Sequence, residues 1–121
     1  MNSGRRSRVL VVEDEAFIAL MLEDMLNDLG YEVLGPVASC AQALAVLEKQ
    51  GPPDAAILDI NLGGESVYPV AEVLRERRVP FLFSTGYGEA AVPDRFHEVE
   101  RLSKPFEPRR LRAALVQHCG L

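Results

Sequence analysis

The chain has 121 residues, 48% of them hydrophobic and 26% charged, and carries a formal net charge of −5. That length holds one domain with a real core and leaves no room for a second of ordinary size. The negative balance argues against broad binding to nucleic-acid phosphates, and no apolar run approaches the roughly 20 residues of a membrane span.

Residues 1–7 are polar and, with Arg5, Arg6 and then Arg8, make a small basic arm. They lack the apolar stretch of a secretory signal, so a flexible N-terminal arm, a folded domain over 8–121 and a cytoplasmic location are expected. Arg8 to Glu13, "RVLVVE", reads as a buried strand. Asp14 to Leu29 follows as a helix, with its stripe at Ile18, Met21, Leu22, Met25 and Leu29, and Gly30 stops it. Residues 32–37, "EVLGPV", give a second strand punctuated by Gly35 and Pro36. Ser39 with Gln42 forms a capping box for a second helix, whose inner face carries Ala43, Leu44 and Leu47.

Asp54 to Leu58 is the third strand, and Ser66 to Arg77 the third helix, with Val67, Val70, Ala71 and Leu74 at helical spacing. Pro69 falls in the first turn of that helix, where it costs little. "FLFS" after Pro80 is the fourth strand and residues 99–102 the fifth. Pro108 opens a last helix with Leu111, Ala114 and Leu115 inside. Between strands four and five, Gly86, Gly88 and Pro93 leave few residues for a helix, so the fourth helix is expected to be short or irregular. Cys40 and Cys119 have no CxxC spacing, and His97 and His118 no ligand-like spacing. All four read as ordinary core or surface residues.

Five strands alternating with helices predict an α/β domain, a parallel sheet covered on both faces. Ligands bind such sheets outside the carboxyl ends of the strands. Glu13 and Asp14 end strand one, Asp59 strand three, Ser84 and Thr85 strand four, and Ser103, Lys104 and Pro105 strand five. Any of these alone has an ordinary explanation: Asp14 as a helix N-cap, Asp59 as a turn residue, Lys104 as a solvated lysine. Together, three carboxylates on one edge repel one another unless they protonate, splay or hold a cation. Oxygen ligands without His or Cys select a hard cation, Mg²⁺ first, with Mn²⁺ as a substitute. Such an ion makes a carboxylate available as a nucleophile toward a phosphoryl group. Thr85 can then donate to one phosphoryl oxygen while Lys104 pairs with another.

The order Glu13-Asp14, Asp59, Thr85, Lys104-Pro105 resembles the receiver domain of bacterial two-component response regulators. The resemblance runs from about Arg8 to the C-terminus. It implies a three-layer, flavodoxin-like (βα)5 domain with sheet order 2-1-3-4-5. It implies that Asp59 accepts a phosphoryl group from a phosphohistidine on a sensor histidine kinase or a histidine phosphotransfer protein. Glu13, Asp14, Asp59 and the main-chain carbonyl of Asn61 would then hold Mg²⁺, and the Lys104–Pro105 peptide would be cis. "PFLFSTGYG", Pro80 to Gly88, with "KPF" at Lys104 to Phe106, is similar to the FAT GUY group of stand-alone receivers, which is associated with general stress signalling. Ser84 stands in place of that motif's alanine.

Receivers commonly carry an aromatic residue three positions before the lysine, which swings inward as the threonine moves. Here that residue is Arg101, and an unpaired arginine enters an apolar pocket only at a cost of several kcal/mol. The segment Gly86, Tyr87, Gly88 is therefore the expected moving part, with Tyr87 as a substitute aromatic. An aspartyl phosphate would add about −2 of charge to the pocket and bias the loops around it.

Without an output domain, the signal is expected to leave through a downstream protein partner, onward transfer, or a homodimer. Arg101, Arg109, Arg110 and Arg112, around the last strand and helix, are the candidate interface. Two further readings compete: an interaction module that works without phosphorylation, and an aspartyl-phosphate phosphatase. Many hydrolases of the second kind place an acid two residues after the nucleophile, and Asn61 cannot serve as one.

Overall fold

The short β-branched runs become a single parallel sheet because helices cover both of its faces. A computed structural model describes residues 6–86 and 92–121; Arg5, Tyr87 and Gly88 of the expectations above lie outside them. Strand β1 (Arg8–Val12) leads to helix α1 (Ala16–Asp28), β2 (Glu32–Val37), α2 (Cys40–Gln50) and β3 (Ala55–Asp59). A small hairpin, β4 (Asn61–Leu62) and β5 (Glu65–Ser66), precedes α3 (Tyr68–Glu76). Strand β6 (Phe81–Thr85), a 3-10 turn (Asp94–Phe96), β7 (Arg101–Ser103) and α4 (Pro108–Cys119) complete the chain. The five-stranded sheet runs β2-β1-β3-β6-β7. Setting the hairpin aside, that is the expected order 2-1-3-4-5.

Residues along a strand alternate between the two faces, and here each face meets its own layer of helices. Leu10, Val12, Leu58, Phe81 and Phe83 pack with Leu47 of α2 and Val70, Ala71 and Leu74 of α3. Val9, Val11, Ile57 and Leu82 pack with Leu22 and Leu26 of α1 and Leu111, Ala114 and Leu115 of α4. Because helices cover both sides, all five residues of β3 are buried.

Several boundaries moved. The third helix begins at Tyr68, because Ser66 is taken into the hairpin, where it pairs with Asn61. The last strand is Arg101–Ser103, two residues later than its apolar content suggests. In place of a fourth α-helix the described residues hold only the 3-10 turn. Its Phe96 is 1% exposed, stacked on Tyr68 at 5.7 Å and edge-on to Phe81 and Phe83. The guanidinium groups of Arg75 and Arg95 lie 4.7 and 4.9 Å from its ring centroid, within cation–π range. Ion pairs from Arg75 to Glu98 and from Arg95 to Glu72 hold those arginines in place.

The capping box forms with one change: Ser39 Oγ accepts from Gln42 N, while Gln42 Oε1 accepts from Ala38 N, one residue further out. In β2 the pairing with β1 slips between Leu34 and Val37. Gly35 is at φ +92° there, and a Cβ would stand 2.8 Å from Val37 N and 3.0 Å from Val11 O. Only glycine fits that position. The Gly35–Pro36 and Lys104–Pro105 peptides are both cis.

Candidate functional site

The parity of the sheet selects which side chains meet at its carboxyl edge. Asp59 continues the face of Ala55 and Ile57, and Glu13 continues that of Val9 and Val11, so both carboxylates turn to the α1 and α4 side. Glu13 N donates to Val37 O at 2.8 Å, which extends the β1–β2 pairing by a residue and fixes where its side chain leaves the backbone. Thr85 ends β6, and its carbonyl accepts from Lys104 N at 2.8 Å. That bond brings the lysine back over the pocket.

Four of the sequence-predicted residues come together. Lys104 Nζ lies 2.9 Å from Glu13 Oε1 and 3.2 Å from Asp59 Oδ2. The first is an ion pair off the direction of a hydrogen bond, the second a hydrogen bond as well. Ligand oxygens of Glu13, Asp14 and Asp59 all lie within 4.8 Å of one another. Glu13 and Asp59 are buried, while Asp14 is open to solvent. The helix-cap explanation for Asp14 fails: the N-cap of α1 is Glu15, and no side chain caps it. Glu13 Oε2 instead accepts from Glu15 N at 3.1 Å.

One ammonium pairs with two of the three carboxylates, and the electrostatics show the mismatch. Burial, reinforced by the neighbouring Glu13, pushes the Asp59 carboxyl from its usual 3.8 up to about 7, against the opposing pull of Lys104. Lys104 moves up from its ordinary value: burial opposes its charge, but Glu13 and Asp59 together outweigh that. The two shifts pull opposite ways on one contact because Lys104 is claimed by both acids, while Asp59 has Glu13 beside it. Two buried carboxylates, an exposed third and a single neutralising lysine fit a hard divalent cation such as Mg²⁺.

The remaining expected residues are placed more loosely. Thr85 is buried at the end of β6, where strand parity sets it on the Phe81 and Phe83 face and its carbonyl meets Lys104 N, and Gly86 follows it. Asn61 N donates to Asp59 Oδ1 at 3.2 Å, and Asn61 Oδ1 accepts from Gly64 N at 3.0 Å. Arg101, Arg109, Arg110 and Arg112 are exposed and make no ion pair among the described residues. Sequence reasoning missed the hairpin that carries Asn61. The Gly63-Gly64 dipeptide, between the polar–apolar pair Asn61-Leu62 and the polar pair Glu65-Ser66, was its signal.

Residues 9–116 match the family model described as "Response regulator receiver domain". The chain is 30% identical over 119 residues to the phyllosphere-induced regulator PhyR of Methylorubrum extorquens, covering 92% of this chain and 43% of that protein. It spans about half the length of the curated relatives it matches. The solution structure of SdrG from Sphingomonas melonis Fr1 superposes with a TM-score of 0.82 at 46% identity, covering 92% of this chain and 94% of that one. The BeF3-activated conformation of SdrG from Pseudomonas melonis Fr1 superposes with a TM-score of 0.78 at 44% identity, covering 93% and 98%.

Proposed function

The chain belongs to the response regulator receiver domain family of two-component signalling, and on that premise we propose that Asp59 is its phosphoryl acceptor. The observation that carries this reading is the Lys104 ammonium set between Glu13 and Asp59, at 2.9 and 3.2 Å, with Asp14 alongside. A carboxylate oxygen of Asp59 attacks the phosphorus of a phosphohistidine on a sensor kinase or histidine phosphotransfer protein. The new P–O bond forms as the P–N bond breaks, and the departing imidazole takes up a proton. Lys104 exchanges its contact with Asp59 for one to a phosphoryl oxygen while keeping Glu13, and the Thr85 hydroxyl donates to another oxygen.

Glu13, Asp14, Asp59 and the carbonyl of Asn61 would hold Mg²⁺, with Mn²⁺ able to replace it. When bound, the ion neutralises charge on the incoming phosphoryl oxygens. In a hairpin with a two-residue turn, Leu62 and Glu65 take the ladder bonds next to the turn, so the Asn61 carbonyl stays outside the ladder. Asn61 also withholds the general acid that rapid hydrolysis would use, which favours a signalling module over a phosphatase. The likeness to a protein with a BeF3-activated conformation supports the reading, since beryllofluoride is a stand-in for a phosphoryl group.

Partner contacts fall on two surfaces. Next to the pocket, Phe17 and Leu20 of α1 are 73% and 56% exposed, and Ile18, Met21 and Met25 line a groove with Pro105 and Phe106. That apolar face suits the phosphohistidine-bearing protein. The exposed arginines Arg109, Arg110 and Arg112 of α4, with Arg101 on the edge strand β7, suit a downstream partner or a second copy of this chain. The "PFLFSTGYG" motif supports a role in general stress signalling.

The test is intact-mass analysis after incubation with acetyl phosphate and Mg²⁺. One added phosphoryl group, absent in Asp59→Asn and absent in EDTA, is expected. An adduct that survives Asp59→Asn would overturn the assignment.

A further inference from the structure

Between Asp59 and α3 the chain forms a closed hairpin, which approaches Asp14 at its turn and is tied to α2 on its returning strand. At its turn, Gly63 has φ +59°, and a Cβ there would stand 3.1 Å from Asp14 Oδ2. On the returning strand, Glu65 Oε1 accepts from the backbone N–H of Cys40 at 3.3 Å. The Cys40 thiol donates to Ser66 O at 3.1 Å. One residue, the first of α2, thus grips both residues of β5. β5 in turn sets β4 through the pairs Asn61↔Ser66 and Leu62↔Glu65.

We propose that Glu65 and Cys40 are positioning residues for the acceptor loop, fixing the Asn61 carbonyl and the approach of Gly63 to Asp14 where a divalent cation is bound. The proposal rests on the reading of Asp59 as acceptor. Cys40 N–H is one of the first-turn amides that no helical carbonyl can reach, since Ser39 caps Gln42 instead. The first turn of α2 contains no acidic residue, so Glu65 brings a carboxylate to that terminus from another element, where the helix dipole favours it. Burial and the adjacent Glu65 charge raise the Cys40 thiol, which keeps it protonated and able to donate. Leu62 of β4 is buried in the core, while these two hydrogen bonds tie β5 to α2. A two-stranded ribbon has little stability of its own, so losing either contact loosens it.

The alternative is that Glu65 does no more than cap α2. Mg²⁺ titrations followed at the Asn61 and Gly64 amides separate the two, with urea unfolding run alongside on wild type, Glu65→Ala, Glu65→Gln and Cys40→Ala. Losing one such hydrogen bond weakens cation affinity by about fivefold in Glu65→Ala and in Cys40→Ala. Amide exchange over residues 61–66 speeds up in both. Glu65→Gln, which keeps the acceptor oxygen, stays within about twofold of wild type. Unchanged Mg²⁺ affinity in Glu65→Ala, alongside a lowered unfolding midpoint, would leave a helix cap and overturn the proposal. Wild type that takes no phosphoryl from acetyl phosphate would strike at Asp59 instead, and amide exchange over 61–66 would then decide the tether: unchanged exchange in Glu65→Ala sinks it.

Discussion

Replacing Asp59 with asparagine should make the metal-free protein more stable at neutral pH, even though it removes one partner of a buried ion pair. Asp59 is 4% exposed, and burial with Glu13 beside it lifts its carboxyl from 3.8 to about 7. Between those values the native state holds a proton that the unfolded chain has released, so native stability falls as pH rises through that window. The full shift corresponds to at most about 4 kcal/mol, the upper bound on the difference between the two proteins. Lys104, with its value raised, contributes stability below its unfolded value that is lost only as pH rises through its folded one, well outside this window. Lys104 also keeps Glu13 at 2.9 Å in the variant. Urea unfolding followed by circular dichroism in EDTA, at several pH values from about 4 to about 8, measures the difference directly. Wild type should lose stability relative to Asp59→Asn across that range and then level off. A gap between the two that stays flat, or widens in favour of wild type as pH rises, would refute the electrostatic reasoning.

Two further substitutions probe the surroundings. Lys104→Met leaves the Glu13 side chain, 1% exposed, and Asp59 without a counter-charge. It should destabilise the metal-free protein at pH 7 by about 2–4 kcal/mol, with part of the loss recovered on adding Mg²⁺; urea midpoints with and without the ion check this. Phe96→Ala removes the ring that Tyr68, Phe81 and Phe83 enclose, and should cost about 3–5 kcal/mol. A loss under about 1 kcal/mol in chemical denaturation would show that the 3-10 turn is not anchored there.

The pocket was legible in the sequence because a parallel sheet brings all its strand ends to one edge. Once Glu13, Asp59, Thr85 and Lys104 were placed at those ends, topology made them neighbours. The third helix was equally readable: Val67, Val70, Ala71 and Leu74 are all fully buried. What escaped depended on contacts between distant segments. Ser66 looked like the start of a helix because the apolar spacing begins one residue later, yet Asn61 and Cys40 draw it into a hairpin. Phe96 looked like part of a broken helix, and only Arg75, Glu98 and the aromatic side chains of other elements explain its burial. The stripe of α1 is centred on Ala19, Leu22 and Leu26, one step round from the predicted face, and Phe17 is left in solvent.

The function of the pocket turns on the identity of the acceptor. Phosphorylating the protein in Mg²⁺, reducing the acyl phosphate with borohydride and sequencing the peptides identifies the modified residue. Conversion of Asp59 to homoserine, with Glu13 and Asp14 intact, is the predicted result. Conversion at another residue, or none in a protein that has gained the mass of a phosphoryl group, would contradict it.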